Sequence, residues 1–484
     1  MVFDHEGCEV ARHQLEHRQH FEHPGWVEHD PEEIWENTAG VIEATLRSAS
    51  LQLGDLAGIG IANQRETTVE WDRATARPVA PAIVWQDTRS ADSVSRLIAE
   101  GREPFLRDRT GLPLTTYSSA TKLGWLLDRV PDGRRRAAAG TLLFGTVDSW
   151  LIWRLTGRHV TDVTNASRTM LMDLETLEWD DELLEIFDVP REMLPEIGSS
   201  TRSAAELVAL GLGTGRGGVP VTGILGDQQA AMLGQGCVSI GDLKNTYGTG
   251  NFLLLNTGAE IVRSTHGLIS TVCYQLGDAP PSYALEGAIA VTGSAVQWLR
   301  DQLGIIQRAE DCEALAASVP NSGGLYFVPA FSGLFAPHWR ADARGVIVGM
   351  SRAHTRAHIA RATLEAVAYQ SRDVVKAMEQ DLGREITELR VDGGMTANGL
   401  CMQLQADILG IPVIRAAYPE TTVRGAAFAA GLGAEFWRDV ADLPVMPGSG
   451  ESRWEPRWSK QERAEGLRGW EKALLRSLDW VGEL

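Results

Sequence analysis

A guanidinium and a carboxylate stand side by side in the segment Asn63–Thr68, whose sequence is NQRETT. The apolar run Leu56–Ala62 before it predicts a strand, and open α/β sheets bind ligands at the ends of their strands. Arg65 offers a planar set of donors and Glu66 offers two acceptor oxygens, so together they can hold neighbouring hydroxyls of a polyol. The alternative is a surface ion pair, which contributes little to stability.

A second carboxylate, Asp227, lies where the apolar run Val219–Leu225 gives way to a predicted helix, and Gln228 follows it. A carboxylate at such a turn can accept the proton of a substrate hydroxyl. Phosphoryl transfer needs an oriented nucleophile and an acceptor for its proton. The alternative is a helix N-cap, and the two roles are compatible.

Trp85 follows the apolar residues Ala82-Ile83-Val84 and can form an apolar wall against the carbon atoms of a small substrate. The alternative is an ordinary core tryptophan.

Two glycine-containing turns are candidates for nucleotide contacts. Thr246–Gly250 (TYGTG) can direct backbone N–H groups at phosphate oxygens. Asp392–Asn398 (DGGMTAN) lets the backbone approach a flat ring or a phosphate closely. Plain turns are the alternative at both places, because glycine turns are common.

Alternating strands and helices position these residues and predict an α/β fold with two related lobes and a ligand cleft between them. We place the boundary near Gly234–Gly241, which gives lobes 1–236 and 237–484, and we predict a hairpin from Met1–Phe3 and Glu9–Ala11. The other predicted strands are Thr68–Trp71, Lys244–Leu255 (with a turn), Leu325–Pro329 and Leu389–Val391. The predicted helices are Pro31–Leu46, Lys122–Asp128, Asp148–Leu155, Gly293–Leu303, His358–Met378 and Ser459–Leu475. The glycine-rich segment Leu210–Gly218 is predicted to be a loop.

Charge and composition exclude several classes of function. A formal net charge of −19 over 484 residues disfavours nucleic acid and anionic membrane surfaces as partners, although a locally positive site can still bind ATP. Five cysteines without a C-x-x-C pair disfavour a disulfide framework or a zinc site. No apolar run has the length of a membrane span, so we expect a cytoplasmic protein. We assign no metal-ligating residues to the histidines among residues 5–29.

Taken in order along the chain, these motifs resemble the FGGY family of carbohydrate kinases, and within it the glycerol kinases. The segments that carry the resemblance span nearly the whole chain: Pro24–Asp30 (PGWVEHD), Asn63–Thr68 (NQRETT), Ile83–Gln86 (IVWQ), Phe144–Leu151 (FGTVDSWL), Thr164–Met170 (TNASRTM), Gly226–Gln229 (GDQQ), Asn245–Gly250 (NTYGTG), Gly345–Glu365 and Val391–Asn398 (VDGGMTAN). The resemblance implies two ribonuclease H-like lobes of the actin/hexokinase-like ATPase fold.

The resemblance also implies a reaction and a role for each matching residue. ATP and Mg²⁺ would serve as cofactors, and ATP plus glycerol would give ADP plus sn-glycerol 3-phosphate. The residues matching glycerol contacts are Arg65, Glu66, Trp85, Tyr117, Asp227 and Gln228, and Asp227 matches the catalytic base. The residues matching nucleotide contacts are Thr249, Gly293, Gln297, Gly394 and Asn398. Relatives form dimers and tetramers, so a homodimer or homotetramer is expected.

Two departures from the family pattern lead to further expectations. The family opens with a strand carrying an acidic residue and then a Gly-Thr-Thr-Ser turn that binds the β- and γ-phosphates. Met1–Asp4 matches the strand after that turn, so we expect the N-terminal phosphate-binding strand and turn to be lacking and the activity to be impaired. Some relatives bind fructose 1,6-bisphosphate through an arginine where this chain has Gly218, with Arg216 two residues earlier, so we expect weak or absent control by that sugar.

Two other functions stay open at this stage. One is a kinase of another polyol or sugar, such as xylulose or gluconate. The other is a non-catalytic glycerol-binding regulatory protein.

Overall fold

The computed structural model describes residues 1–209, 218–444 and 450–482. The predicted loop around Arg216 therefore lies outside the described residues, apart from Gly218. The strands are β1 (Val2–Phe3), β2 (Glu9–Ala11), β3 (Glu28–His29), β4 (Ile59–Asn63), β5 (Val69–Asp72), β6 (Ala82–Ile83), β7 (Leu142–Gly145), β8 (Val160–Asp162), β9 (Glu196–Gly198), β10 (Val208–Ala209), β11 (Val219–Gly226), β12 (Leu243–Tyr247), β13 (Asn251–Gly258), β14 (Ile269–Tyr274), β15 (Ser282–Ile289), β16 (Tyr326–Val328), β17 (Val346–Val348), β18 (Leu389–Asp392), β19 (Val413–Arg415) and β20 (Ser452–Trp454). The α-helices are α1 (Pro31–Ala49), α2 (Ala91–Ala99), α3 (Glu103–Thr110), α4 (Ser119–Leu127), α5 (Gly133–Ala138), α6 (Val147–Thr156), α7 (Val163–Ala166), α8 (Asp181–Phe187), α9 (Asp227–Gly234), α10 (Gly293–Asp301), α11 (Asp311–Ala317), α12 (Arg356–Leu382), α13 (Gly399–Leu409), α14 (Thr421–Gly433) and α15 (Lys460–Leu475).

Two sheets bring the sequence motifs together at strand ends. In the first half of the chain, β10, β11 and β4 form a sheet in that order, and β11 runs parallel to β4 with Gly226 opposite Asn63. In the second half, a sheet of order β14-β15-β13-β12-β18-β19-β20 has β12 parallel to β18, with Thr246 opposite Asp392. Parallel strands end at the same edge, so each sheet places two of the predicted motifs next to each other.

Most predicted elements are confirmed, with shifted ends. The helix predicted from Pro31 begins there, and the Asp30 side chain caps it by accepting a hydrogen bond from the backbone N–H of Glu32. The strand predicted from Leu56 begins only at Ile59, and a 3₁₀ turn at Leu53–Asp55 precedes it. The long helix predicted over His358–Met378 extends to Leu382 and ends at Gly383, which adopts the left-handed conformation that glycine favours.

Buried clusters join the two halves of the chain. Residues 94–194 share an apolar core with Ile269, Val272 and Tyr283 of the seven-stranded sheet. Helices α9 and α14 pack so closely that a Cβ on Gly425 would overlap the carbonyl oxygen of Ala230. The division at 236/237 stays a prediction, since both of these contacts cross it.

Glu70 of β5 is a buried carboxylate whose titration can be measured independently of any ligand site. Its side chain is 1% exposed, and neither carboxylate oxygen has a hydrogen-bond partner among the described residues. Burial raises the pKa of Glu70 from the usual 4.5 to about 8, although Arg136 and Arg134 oppose this shift. The folded protein therefore binds one more proton than the unfolded chain between those pH values, and the free energy of unfolding falls as the pH rises through this window.

We expect Glu70→Gln to remove this pH dependence, because the amide does not ionise. Its melting temperature should exceed that of the wild type at pH 9 and match it more closely at pH 5, measured by differential scanning fluorimetry. The exposed Glu100→Gln change is the control. An equal difference at both pH values would show that Glu70 does not titrate as described.

No helix in the described parts of the chain combines the length and the apolarity needed to cross a membrane. The described residues also contain no group of three or more His, Cys, Asp or Glu side chains that can hold a metal ion.

Candidate active site

The site begins at the shared edge of β4 and β11. Gly226, the last residue of β11, donates its backbone N–H to Thr164 Oγ1 at 2.8 Å. Thr164 Oγ1 in turn donates to Asp162 Oδ1 at 2.9 Å, and both side chains are fully buried. This buried network fixes the backbone immediately before Asp227 and next to the segment that carries Arg65.

Arg65 and Glu66 are both 2% exposed and do not form the surface ion pair that was the alternative interpretation. They belong to a buried charge cluster of Arg65, Glu66, Arg168 and Glu286. Arg65 Nη1 lies 2.5 Å from Glu286 Oε2, and Arg168 Nη2 lies 2.9 Å from Glu286 Oε1. Arg168 Nε donates to Glu66 Oε1 at 2.6 Å. Two arginines therefore balance two glutamates, and Glu286 comes from β15 in the second half of the chain.

The pKa shifts in the charge cluster follow from burial and pairing. Burial raises the pKa of Glu66, and the attraction of Arg168 and Arg65 offsets only part of that shift. Burial alone would also raise the pKa of Glu286, but Arg168 and Arg65 together outweigh it and hold the pKa below its usual value. Glu286 is thus the carboxylate that pairs with both guanidiniums.

Three aromatic rings stand beside the charge cluster. Trp85 is only partly buried, which argues against a purely core role, and its ring meets the Tyr117 ring edge-on at 5.5 Å between centroids. Phe252, which the sequence analysis did not identify, meets Trp85 at 5.9 Å. The guanidinium of Arg168 lies over the Tyr117 ring at 5.6 Å. These rings form an apolar wall next to the polar groups.

Asp227 is the first residue of α9, and Gly226 occupies the N-cap position, so Asp227 is not the N-cap residue. The carboxylate is 35% exposed and lies 3.2 Å from Arg65 Nε. It accepts hydrogen bonds from the backbone N–H of Gln228 at 2.7 Å and from Gln228 Nε2 at 3.2 Å. An oriented and partly open carboxylate of this kind can accept a proton from a hydroxyl.

The predicted nucleotide contacts gather at the other sheet edge. The carbonyl oxygen of Thr249, in the turn between β12 and β13, accepts from the backbone N–H of Thr292 at 3.0 Å, just before Gly293 opens α10. The Sδ atom of Met395, next to Gly394, lies 3.7 Å from the point where a Cβ on Gly293 would stand.

Space is open around this turn. No atom of the described residues, apart from the adjoining ones in the chain, lies within 4 Å of a Cβ built on Gly394, and Gln297 is exposed on α10. Asn398 uses its side-chain oxygen to cap α13, accepting from the backbone N–H of Cys401 at 2.8 Å. Thr249 and Gly394 thus lie in two turns, Gly293 and Gln297 on α10, and Asn398 at the start of α13.

Sequence reasoning missed the roles of three site residues: Arg168, Phe252 and Glu286. Arg168 lies inside a motif that carried the resemblance, but its partners are distant in the chain. Glu286 interrupts the apolar run of β15. A charged residue within an apolar strand is unusual, and that signal was available in the sequence.

Comparison with known proteins agrees with this architecture. The N-terminal domain model of the FGGY family of carbohydrate kinases matches residues 1–234, and the C-terminal domain model matches residues 243–434. A glycerol kinase of Mycolicibacterium gilvum is 60% identical over 486 residues, covering 99% of this chain and 96% of the relative. The crystal structure of Plasmodium falciparum glycerol kinase with ADP is 38% identical with a TM-score of 0.92, covering 100% of this chain and 96% of that one.

A more distant structure shares the fold alone. Xylulose kinase from Lactobacillus acidophilus is 22% identical with a TM-score of 0.84, covering 97% of this chain and 93% of that one. The predicted fold class, two lobes of the actin/hexokinase-like ATPase fold with mixed α/β content, is thereby confirmed. The chain belongs to the FGGY family of carbohydrate kinases.

Proposed function

We propose that the chain is a glycerol kinase, an ATP-dependent phosphotransferase that converts glycerol to sn-glycerol 3-phosphate. The observation that carries this proposal is the pairing of a buried Arg65 and Glu66 with the partly open carboxylate of Asp227 at one sheet edge. Identity of 60% to a full-length glycerol kinase supports the same substrate. A sugar kinase is not favoured, because the xylulose kinase likeness extends to the fold only.

The pocket offers groups that suit the three hydroxyls of glycerol. Glu66 Oε1 is bound by Arg168, and Glu66 Oε2 has no hydrogen-bond donor among the described residues, so it can accept from a substrate hydroxyl. The guanidinium of Arg65 is a hydrogen-bond donor at the same place. The phenolic oxygen of Tyr117 has no hydrogen-bond partner in the described parts of the chain. Trp85, Tyr117 and Phe252 cover the carbon atoms. Buried polar groups that expect hydroxyls penalise analogues lacking them.

In this mechanism Asp227 accepts the proton of the attacking hydroxyl. Gln228 and Arg65 hold the carboxylate in place, and the charge cluster fixes the substrate against rotation. Positioning supplies much of the rate in phosphoryl transfer, since the transition state needs little covalent help from the protein. Closure of the two lobes would exclude water and so limit hydrolysis of ATP.

ATP would bind at the surface formed by Thr249, Gly293, Gln297, Gly394 and Asn398. Magnesium enters this proposal as the complex with ATP. We expect this ion to be held mostly by phosphate and water oxygens, with few carboxylates from the protein. Bound in this way, the ion would offset charge on the transferred phosphate.

Lys122 gives a prediction for the glycerol side of the site. Its buried Nζ donates to the carbonyl oxygens of Thr116, Tyr117 and Ser118 at 2.7, 2.5 and 3.0 Å, and so holds the loop that carries Tyr117. We expect Lys122→Met to raise the KM for glycerol roughly ten-fold with a smaller change in kcat, because charge-assisted hydrogen bonds each contribute about 1.5–3 kcal/mol. Steady-state kinetics at varied glycerol concentration measures both constants.

The control for this prediction is Lys472→Met, an exposed lysine on α15. An unchanged KM in folded Lys122→Met protein would show that the loop keeps its position without the ammonium.

A panel of acceptors tests the proposed function. We expect kcat/KM to be highest for glycerol, lower by about 10⁴-fold or more for propane-1,2-diol, which leaves buried polar groups unpaired, and low for xylulose and gluconate. A preference for xylulose or gluconate would replace the proposal with the corresponding sugar kinase. Tight glycerol binding without ADP formation would indicate the non-catalytic alternative.

We further propose a cytoplasmic location and a homodimeric or homotetrameric state. All five cysteines are free thiols, which suits a reducing compartment. Light scattering of the purified chain would measure the assembly, and a monomer at micromolar concentration would contradict that part of the proposal.

A further inference from the structure

Lys244, at the start of β12, is a fully buried lysine between the two sheet edges. Its Nζ donates to Gln228 Oε1, to Thr246 Oγ1 at 3.0 Å and to the carbonyl oxygen of Phe252 at 3.3 Å. An ammonium has three N–H donors, and these three neutral acceptors use all of them. None of the roles described above employs this charge.

We propose that Lys244 is a positioning residue that fixes the amide of Gln228 and, through it, the carboxylate of Asp227. The proposal rests on the function proposed above, because it gives Lys244 a part in the proton transfer to Asp227.

The chemistry of the amide carries the argument. A glutamine side chain has an acceptor end and a donor end that exchange places when the amide rotates by half a turn. The Lys244 ammonium can only donate, so it selects the orientation in which Gln228 Oε1 faces it. That orientation directs Gln228 Nε2 at Asp227 Oδ2, 3.2 Å away. Without the ammonium, the amide is free to place its oxygen against the carboxylate.

The position of Lys244 connects the two halves of the chain. Asp227 and Gln228 follow β11, whereas Lys244 belongs to the sheet that carries the proposed ATP surface. The same ammonium binds the backbone of Phe252, one ring of the apolar wall. Lys244 therefore orients the proton acceptor relative to the sheet that presents the phosphate.

The charge on Lys244 is sensitive to pH. Burial lowers its pKa to about 8, with Asp392 of β18, Asp227 of α9 and Glu286 of β15 favouring the charged form and Arg65 opposing it. The ammonium is therefore present below pH 8 and is lost as the pH rises through that value. A neutral amine has two donors and a lone pair, so it no longer dictates the orientation of the Gln228 amide.

Kinetics of Lys244→Met and Lys122→Met test the proposal, since each variant removes one fully buried lysine. For the wild type we expect kcat to fall as the pH rises through about 8. Lys244→Met should lower kcat by about 10- to 100-fold at pH 7, because small displacements of a reacting group have effects of that size. It should also abolish that fall with pH and change kcat more than the KM for glycerol. Lys122→Met should keep the fall and raise KM.

A double-mutant cycle gives a readout that does not need activity. If Lys244 holds Gln228, the urea midpoint shifts of Lys244→Met and Gln228→Leu should be non-additive, whereas those of Lys122→Met and Gln228→Leu should add. Lys244→Gln replaces Lys244→Met if the latter does not fold. Additive shifts, or a kcat that keeps its wild-type value and pH dependence in Lys244→Met, overturn the proposal. A wild type inactive on glycerol would instead remove the proposed function, and the cycle would still decide whether Lys244 holds Gln228.

Discussion

Asp227→Asn is expected to lower kcat by about 10²–10⁴-fold, the range contributed by a general base, while the affinity for glycerol stays within a few-fold. The amide has the size of the carboxylate but does not accept the proton of the attacking hydroxyl. Asp227 is partly exposed, and the buried Arg65 keeps Glu286 as an ion-pair partner, so the fold should be unaffected. Coupled measurement of ADP release gives kcat, and calorimetric titration with glycerol gives the affinity.

The control for Asp227→Asn is Asp301→Asn, an exposed aspartate paired with Arg300 on α10. It removes the same charge from the surface and should keep wild-type kinetics. An Asp227→Asn protein with kcat within ten-fold of the wild type would mean that another group accepts the proton.

Arg168→Met is expected to destabilise the protein by about 3–5 kcal/mol, because it removes one partner from a buried ion cluster and leaves charge uncompensated. Arg168 is fully buried and bonds both Glu66 and Glu286, so only Arg65 would remain to balance two carboxylates. Glycerol binding should also weaken strongly, since Glu66 loses the donor that orients it. Urea unfolding followed by circular dichroism measures the stability.

Arg109→Met is the matched control for this change. Arg109 also pairs with carboxylates, Asp173 among them, but its side chain is 37% exposed and water can replace it. We expect a clearly smaller loss of stability than for Arg168→Met. Equal midpoints for the two variants would show that the buried charges of the cluster are not the source of stability proposed above.

The parts of the site that follow a strand could be predicted from the sequence. Asn63 and Gly226 end strands that pair in parallel, and the motifs after them therefore had to meet. The apolar run before Asp227 likewise predicted the strand β11, and the cap at Asp30 predicted the helix α1. The observed ends of strands and helices differ from the predicted ends by a few residues. The resemblance assigned roles to Tyr117 and Gln297, which no local pattern singles out.

The missing parts depend on contacts between distant residues. Glu286 bonds Arg168, which stands 118 residues earlier, and local periodicity holds no information about that pairing. The same applies to Lys244, whose acceptors come from α9 as well as its own hairpin. A buried charge is evident in the sequence as an interruption of an apolar run, but its partner becomes evident only in the folded chain.

The most direct test of the central claim is ³¹P nuclear magnetic resonance of the purified chain with glycerol and magnesium–ATP. A glycerol kinase gives a phosphomonoester signal that grows at the rate at which ATP is lost and ADP appears, and the Asp227→Asn protein gives neither change at a comparable rate. Loss of ATP to inorganic phosphate, or an unchanged ATP spectrum in a folded protein that binds glycerol, would contradict the proposed phosphoryl transfer.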